Sequence, residues 1–414
     1  MLLLGRLLKG FVRTGALTVI DAQGRSHEFV GADEGPHVTL RLGDRALARQ
    51  LFFNPALVLG EAYMDGRLTV EDGDLYDLLD LCHRNMGWGG VHWLADTLAA
   101  LRRFSRYLTQ YNPVPRARRN VAHHYDLSGR LYDLFLDSDR QYSCAYFGVP
   151  GEPLERAQLR KKRHLAAKLL LEPGQRVLDI GSGWGGLALY LAAEFGVHVT
   201  GVTLSEEQHK VSRRRASELG LDDRVDFRLI DYRDVEGQFD RIVSVGMFEH
   251  VGVGHYRTFF NKAKTLLADD GVALLHTIGR ADGPGETAAW IRKYIFPGGY
   301  SPALSETTAA IERSGLYITD IEILRLHYAE TLKEWRRRFL ANRQAVAEIY
   351  DERFCRMWEF YLASSESTFR HGGHVVFQIQ MALQQDAVPL TRDYVTDWER
   401  AHPIDDAPAV AAAE

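Results

Sequence analysis

The sequence predicts an α/β protein with a doubly wound, mostly parallel sheet and a smaller α/β domain before it. From about Glu172 onward, short apolar segments typical of buried strands alternate with longer segments typical of helices. The strand segments are RVLDI, VHVTGVTL, RVDFRLID, FDRIVSVG and VALLHTI, and a glycine-rich turn follows the first. Two later segments, LYITDIEILRL and HVVFQIQMAL, can supply a further strand pair.

The helices between these strands have recognisable ends. WGGLALYLAAEFG ends at Gly196, and SEEQHKVSRRRASELG is capped by Ser205 and ends at Gly220. HYRTFFNKAKTLLADDG supplies a third helix before the last strand of the series. Strands and helices that alternate in this way form parallel β-α-β units, and ligands of such sheets bind at the carboxyl ends of the strands.

A separate domain is predicted before this sheet. Within the first hundred or so residues, ALTVIDA and HVTLRL alternate like strands, and LYDLLDLC is typical of a short helix. From Arg102 the sequence becomes basic and irregular, and Pro113 and Pro115 disfavour helix there. We therefore predict an N-terminal domain over residues 1–110, a second domain over 111–400 and a disordered tail over 401–414.

Composition excludes several classes of protein. With 414 residues, 46% hydrophobic and 25% charged, the chain can bury a substantial core. The formal net charge of -5 argues against a dedicated nucleic-acid-binding protein. The three cysteines lie far apart with no C-x-x-C pair, so we expect no disulfide framework, no metal site and a cytoplasmic location. No uninterrupted apolar run approaches the roughly 20 residues that cross a bilayer.

The N-terminal segment MLLLGRLLKGFVR predicts an amphipathic helix. At about 100° per residue, Arg6, Lys9 and Arg13 fall on one side. The other side is apolar and consists of Leu3, Leu4, Leu7, Leu8 and Phe11. Such a helix either packs on its own domain or lies in a membrane interface with its cations at anionic headgroups. The basic segment after Arg102 is likewise either a solvated linker or a second contact to an anionic lipid surface.

The turn VLDIGSGWGG, Val177 to Gly186, has the G-x-G-x-x-G spacing often found in dinucleotide sites, although it is also compatible with a purely structural turn. A dinucleotide fold would place an acidic residue at the end of the second strand, where this chain has Thr203. Instead, Asp179 lies two residues before the first glycine, and IDYRD ends the third strand. This arrangement resembles the class I S-adenosylmethionine methyltransferases. The resemblance implies that the acid orders the loop around the aminoacyl end of the cofactor and that IDYRD meets the adenine.

Further motifs narrow the resemblance. HHYDLSGRLYDLFLDSDRQYSCAYF, VLDIGSGWGG, GVTLSEEQ, FEHVG, YIFPGG and LRLHYAETL occur in this order. Together they resemble the cyclopropane-fatty-acid-phospholipid synthases and the related mycolic-acid cyclopropane synthases, from roughly Asn120 to Leu383. One departure is Ser182, where the family often has Cys; a cofactor site lined by backbone should tolerate it. The resemblance implies a seven-stranded class I methyltransferase sheet.

The chemistry of that family explains which groups are needed. The double bond attacks the sulfonium methyl and leaves a carbocation, which aromatic faces stabilise without attacking it. A proton must then leave the new methyl so that the ring can close, and the resemblance implies that a bound bicarbonate accepts it. The resemblance places the catalytic groups at Cys144, Glu249, His276, the Ile278 amide and Tyr328, with Tyr125 among the aromatics. Taken alone, Cys144 and His276 are also typical of ordinary buried core residues.

The same resemblance implies a set of residues around S-adenosylmethionine. They come from the segment before the sheet and from the turns after its first three strands. The predicted set is Tyr142, Ser143, Asp179, Gly181, Gly183, Thr203, Leu204, Gln208, Tyr232 and Arg233.

The N-terminal domain bears on the substrate. Phospholipid-modifying synthases resemble this chain in having such an extension, whereas those that act on carrier-bound mycolic chains lack it. We therefore predict methylene transfer to the cis double bond of unsaturated phospholipid acyl chains, by a cytoplasmic enzyme peripherally associated with the inner face of the membrane. Related enzymes also suggest a homodimer. The alternatives are a fatty-acid methyltransferase giving methyl-branched or methyl-alkene chains, a small-molecule N- or O-methyltransferase, and a non-catalytic lipid-binding protein.

Overall fold

The computed structural model describes residues 1–86 and 129–404. Tyr125, the basic segment after Arg102 and the tail from residue 405 lie outside the described residues. The described chain forms two compact units. The small unit contains residues 1–86, 285–297 and 329–374, and the large unit contains residues 129–284, 298–328 and 375–404. The sequence predicts one boundary between the two domains, near residue 110, whereas in the fold two later segments also belong to the unit that contains the N-terminus.

The small unit combines a four-stranded sheet with helices. In sheet order the strands are β2 (Ser26–Val30), β1 (Thr14–Ile20), β3 (Asp33–Leu42) and β4 (Leu68–Asp72). β1 runs parallel to β3, whereas the β1–β2 and β3–β4 pairs are antiparallel. Numbered along the described residues, its helices are α1 (Leu2–Phe11), α2 (Leu47–Phe53), α3 (Pro55–Met64), α4 (Leu75–Met86), α10 (Ala289–Tyr294), α12 (His327–Ala341, of which residues 327 and 328 belong to the large unit), α13 (Arg343–Ile349) and α14 (Glu352–His371). The long helix α14 packs against α3 and α4, so the last segment of the unit completes its core.

Helix α1 buries part of its apolar stripe. Leu4 and Leu8 are buried and the helix packs against α2 and β2, so α1 contacts its own domain through these residues. Leu2 and Leu3 remain exposed, at 82% and 48% of their surface. Within residues 1–86 and 129–404, no helix is both long enough and apolar enough to cross a bilayer.

The large unit is built on a seven-stranded sheet. In sheet order its strands are β10 (Tyr317–Ile323), β11 (His374–Ala382), β9 (Leu267–Arg280), β8 (Phe239–Val245), β5 (Arg176–Ile180), β6 (His198–Val202) and β7 (Val225–Arg228). The pairs from β9 through β8, β5 and β6 to β7 are parallel, and β10 pairs antiparallel with β11. The predicted fold class is therefore confirmed, including the late strand pair.

Helices cover both faces of this sheet. They are α5 (Gly129–Asp133), α6 (Leu154–Leu169), α7 (Gly186–Phe195), α8 (Glu206–Glu218), α9 (Tyr256–Leu266), α11 (Leu304–Ser314) and α15 (Asp393–Ala401). Side chains of α6, α7 and α8 form one buried core with the sheet, and those of α9 and α11 form the other. Along the sheet, Asp179 pairs with Gly201 of β6 and Val243 of β8, so the carboxyl ends of three strands lie side by side.

Candidate active site

A cleft opens at the carboxyl ends of β5, β6, β7 and β8. It contains about 1260 Å³ of space, its open mouth included, which is ample for a nucleoside-sized ligand because small-molecule pockets commonly measure about 300–1,000 Å³. The segment before α6 and the turns after the four strands line it. All ten residues predicted to hold the cofactor lie around this one cleft: Tyr142, Ser143, Asp179, Gly181, Gly183, Thr203, Leu204, Gln208, Tyr232 and Arg233.

The three glycines of the G-x-G-x-x-G spacing after β5 have different roles. Gly181 has φ +89, and a Cβ there would lie 2.7 Å from Met247 Cβ. Gly183 has φ +54 and nothing within 4 Å of a Cβ position, so its backbone faces open space that a ligand can enter. Gly186 begins α7, where a Cβ would lie 2.6 Å or less from the Asp139 carboxylate. The turn therefore needs glycine for conformation, for ligand approach and for packing.

Buried polar atoms in the turn have no partner among the described residues. They are Asp179 Oδ2, Ser182 Oγ and Trp184 Nε1, all on residues that line the cleft. Burial raises the pKa of Asp179 to about 7. A buried carboxylate oxygen without a donor is costly unless a ligand supplies one. The arrangement fits the ammonium group of S-adenosylmethionine.

Side-chain pairs also hold the turns after β6 and β7 at the cleft. Thr203 Oγ1 donates to Gln208 Oε1 over 2.9 Å. Asp231, which the sequence analysis does not single out, is buried and binds the Arg233 guanidinium through two hydrogen bonds of 2.8 and 2.7 Å. This pair fixes Arg233 beside Tyr232, whose ring packs edge-on against Phe259.

Glu249 lies next to the cleft, in the turn that follows β8. Its neighbours His250 and Val251 line the cleft, and its own side chain is buried. Glu249 Oε1 accepts a 2.6 Å hydrogen bond from the Ile278 N–H, whereas Oε2 has no partner among the described residues. Burial raises the pKa of Glu249 to about 7. The Ile278 amide therefore orients this carboxyl group.

His276 lies two residues before Ile278 on β9, so the two residues have their side chains on the same face of the sheet. Gln378 Nε2 lies 3.2 Å from His276 Nδ1, and His276 Nε2 has no partner among the described residues. Burial, reinforced by the nearby Lys161, Lys168 and His164, holds the pKa of His276 well below its ordinary value. With the Gln378 amide donating to Nδ1, the neutral ring carries its proton on Nε2 and presents it as a donor.

Cys144 and Tyr328 are buried, and a contact links their chain segments. His327 Nδ1 accepts a 3.0 Å hydrogen bond from the Phe147 N–H. The His327 ring also stacks on Tyr146, with centroids 4.8 Å apart. The residue before Tyr328 is thus fixed to the segment that contains Cys144. Tyr125 lies outside the described residues.

Two buried residues near these groups are missed by the sequence analysis. Gln378 holds His276, and Lys161 of α6 binds the side chains of Gln141 and Ser143. Both were detectable as polar residues at positions where the periodicity of their element predicts burial. Gln378 lies in a strand whose neighbours are apolar, and Lys161 lies on the same helical stripe as Leu154, Ala157 and Leu165.

Comparison with known proteins identifies the family of this chain. Residues 114–379 match the family model described as mycolic acid cyclopropane synthetase. The chain is 41% identical over 320 residues to the cyclopropane-fatty-acyl-phospholipid synthase of Escherichia coli K12, covering 76% of this chain and 80% of that one. It is 37% identical over 361 residues to a probable fatty acid methyltransferase of Pseudomonas putida, covering 83% and 86%.

A solved structure extends the comparison to the fold. The mycolic acid cyclopropane synthase CmaA1, solved in complex with SAH and CTAB, is 32% identical with a TM-score of 0.62. The match covers 66% of this chain and 99% of that one. The resemblance stated from the motifs is confirmed: this chain belongs to the mycolic acid cyclopropane synthetase family and is an S-adenosylmethionine-dependent methyltransferase with the class I fold.

Proposed function

We propose that this enzyme transfers a methylene group from S-adenosylmethionine to the cis double bond of an unsaturated phospholipid acyl chain and closes a cyclopropane ring. The observation that carries the proposal is the buried pair Glu249 and His276 beside the cofactor cleft, with Glu249 Oε2 and His276 Nε2 both without partners among the described residues. S-Adenosylmethionine supplies an electrophilic methyl on a sulfonium centre. The protein must then remove one proton from that methyl.

The atoms balance with one base. The π electrons of the alkene form a bond to the methyl carbon while the C–S bond breaks and sulfur keeps its electron pair. The base removes a proton from the new methyl, and the C–H electrons form the second bond of the ring. In our proposal that base is a bicarbonate ion near Cys144, Glu249, His276 and Tyr328.

The residues present fit such an ion. Neutral His276 offers an N–H donor, and Glu249, with its pKa raised to about 7 by burial, can hold a proton or accept a hydrogen bond from the ion's hydroxyl. Burial is the main cause of the depressed pKa of His276, and Lys161, Lys168 and His164 add a smaller electrostatic contribution. That smaller contribution is a positive potential, which favours an anion beside the ring. The Ile278 N–H already donates to Glu249, so its role in this structure is to orient the carboxyl group.

The second candidate reaction gives a methyl-branched or methyl-alkene chain. The Pseudomonas putida relative, whose name is probable fatty acid methyltransferase, favours it. It shares the cofactor and the first step but differs in where the proton leaves. The Escherichia coli relative, named as a cyclopropane-fatty-acyl-phospholipid synthase, supports ring closure.

Isotope labelling separates the two reactions. Purified protein is incubated with liposomes of unsaturated phospholipid and S-adenosylmethionine carrying a fully deuterated methyl, and the acyl chains are analysed by mass spectrometry. Ring closure gives a saturated-ring product that retains two deuterium atoms from each methyl. Retention of all three would show that the proton left from another carbon and would contradict the proposed base.

We further propose that the enzyme reaches its substrate by peripheral contact with the inner face of the membrane. Exposed Leu2 and Leu3 at the start of α1, with Arg6 and Lys9 on its exposed side, match an interfacial contact to anionic lipid. Cosedimentation with vesicles of anionic phospholipid should fall severalfold in the variant Leu2→Ser/Leu3→Ser. Leu219→Ser is the control, because Leu219 is also exposed, at 60%, but lies at the end of α8. An equal loss in both variants would contradict the assignment.

A further inference from the structure

Two carboxylates hold the buried ring of His164, a residue of helix α6. Nε2 lies 2.8 Å from Glu322 Oε2 of β10, and Nδ1 lies 2.8 Å from Glu399 Oε1 of α15. Ionised carboxylates only accept hydrogen bonds, so each ring nitrogen carries a hydrogen and the ring is an imidazolium cation. Burial by itself lowers the pKa of His164, but the hydrogen bonds to the two carboxylates outweigh it and raise the pKa above its ordinary value. With both nitrogens bound, the ring plane is fixed.

Further charged groups surround this cation and balance it. Lys168 Nζ and the Arg392 guanidinium also bind Glu322, at 2.5 and 3.4 Å. The same two cations contact Asp320, each at 3.4 Å. Because Glu322 is shared in this way, Glu399 is the carboxylate whose removal tests the hold on His164 most directly.

The face of the His164 cation lies against Tyr146, the middle ring of three. The two centroids are 4.3 Å apart and the planes differ by 11°. On its other face Tyr146 meets His327, with centroids 4.8 Å apart and planes 6° apart. A cation attracts the face of an aromatic ring. The carboxylate-bound ring of His164 therefore sets the orientation of this ring stack, which consists of His164, Tyr146 and His327.

The far end of the ring stack reaches the start of α12. His327 Nδ1 accepts a 3.0 Å hydrogen bond from the Phe147 N–H, so the ring carries its hydrogen on Nε2 and is neutral. Burial holds the pKa of His327 below its ordinary value, in agreement with that state. Tyr328 is the next residue, so the contacts that fix His327 also fix the backbone from which the Tyr328 side chain extends.

The segment that contains Tyr146 has its own attachment to α6. The Tyr146 N–H donates to the Ala157 carbonyl over 3.1 Å, and Gln158 Nε2 donates to the Ser143 carbonyl over 3.0 Å. Loss of the ring stack should therefore leave this segment in place and loosen the start of α12. The effect of the ring stack is thus directed at Tyr328.

We propose that His164 is a positioning residue for turnover, which acts through the ring stack on Tyr328 at the proposed anion site. This inference rests on the proposed function, which gives Tyr328 its role beside the bound anion. It also gives α15 a role in turnover, through Glu399.

The test is a double-mutant cycle between His164 and Tyr328. Turnover on liposomes of unsaturated phospholipid at saturating S-adenosylmethionine is measured for the wild type, His164→Phe, Tyr328→Phe and the double variant. His164→Phe keeps a ring for the stack but loses the charge and both hydrogen bonds. It should lower turnover about 10-fold when Tyr328 is present, and about twofold or less in the Tyr328→Phe background. Affinity for S-adenosylmethionine, measured by calorimetry, should stay unchanged because other residues line the cofactor cleft.

Two further variants complete the test. Glu399→Gln removes one of the two carboxylates from a side chain that is 30% exposed, so the protein should fold. Its turnover should fall about threefold, again only when Tyr328 is present. Arg241→Met is the control for lost stability, because Arg241 is buried and donates to the Leu169 carbonyl at the end of the same helix α6. It should lower the melting temperature and leave the turnover of the folded protein unchanged.

Equal losses from His164→Phe with and without Tyr328 would overturn the inference, because they would reflect general destabilisation. Unchanged turnover in both His164→Phe and Glu399→Gln would also overturn it, and Glu399→Gln alone decides if His164→Phe does not fold. If Tyr328→Phe itself leaves turnover unchanged, the role of Tyr328 in the proposed function fails, and this inference fails with it. If Tyr328→Phe lowers turnover but the two effects are additive, this inference alone fails.

Discussion

The cofactor cleft and the Glu249–His276 pair both contain buried polar atoms that have no partner among the described residues, but different parts of the chain hold them. Backbone shapes the part of the cleft at the turn after β5, through glycines with positive φ. Side-chain contacts hold the pair, with Glu249 on the Ile278 amide and His276 on Gln378. Because different groups hold the two regions, we expect cofactor affinity and turnover to be separable by mutation in this protein.

The largest expected effect tests the pair. Glu249→Gln keeps the shape and the acceptor oxygen but removes the proton that the carboxyl group can hold or release. Turnover should fall about 10²-fold to 10³-fold, as for a lost acid–base group, while S-adenosylmethionine affinity is unchanged. Product formation on liposomes and calorimetry measure the two quantities. If Glu249→Gln lowered affinity and turnover by the same factor, the expectation that the two regions act separately would be contradicted.

The second-largest effect is expected for a substitution in the glycine turn of the cleft. Gly181→Ala places a Cβ 2.7 Å from Met247 at φ +89, so we expect S-adenosylmethionine binding about 10-fold weaker and unfolding easier by about 1–3 kcal/mol. Gly174→Ala is the matched control, because Gly174 has φ +82 but nothing within 4 Å of a Cβ position. The control should show the backbone strain without the loss of affinity. Equal affinity losses in both variants would mean that the turn acts only through stability.

A smaller effect follows from the pKa of Asp179, which burial raises from 3.8 to about 7. Between these pH values the ligand-free folded protein keeps a proton that the unfolded chain releases, so this group's contribution to stability falls as pH rises from about 4 to 7. The cofactor ammonium favours ionised Asp179. Binding should therefore release a proton below pH 7, and affinity should rise severalfold as pH increases toward 7.

Calorimetry in two buffers of different ionisation enthalpy measures that proton release. Asp179→Asn should bind more weakly and lose the pH dependence. A pH dependence that persists unchanged in Asp179→Asn would assign the proton to another group.

The position of the cleft could be predicted from the sequence because the residues that form its glycine turn are close together in the chain. The glycine spacing, Asp179 and the strand–turn–helix context lie within one short segment, and parallel strands bring the other turns to the same edge. The late strand pair was also predicted, since strand patterns are local too. The apolar stripe of α1 was predicted, but its partner surface on α2 and β2 was not, because amphipathicity does not name what covers it.

The burial of charged side chains on α6 could not be predicted from the sequence in the same way. Lys161, His164 and Lys168 stand in the run LRKKRHLAAK, which has the composition of a solvated helix face. They are buried because their partners come from distant parts of the chain: Ser143 for Lys161, and Glu322 of β10 for the other two. Long-range partners of this kind leave only a weak trace in one sequence, namely charges at positions that helical periodicity assigns to the core.

The strand order has a consequence for the order in which the protein assembles during synthesis. β10 joins the sheet through β11, which lies between β10 and β9 although it follows β10 by some fifty residues in the chain. Between the two strands the ribosome makes α14, which completes the small unit on α3 and α4. Five strands of the large sheet can pair on a nascent chain that has reached Arg280, whereas β10 must wait. A chain that stops before His374 therefore lacks the strand that attaches β10, so both strands are missing from its sheet.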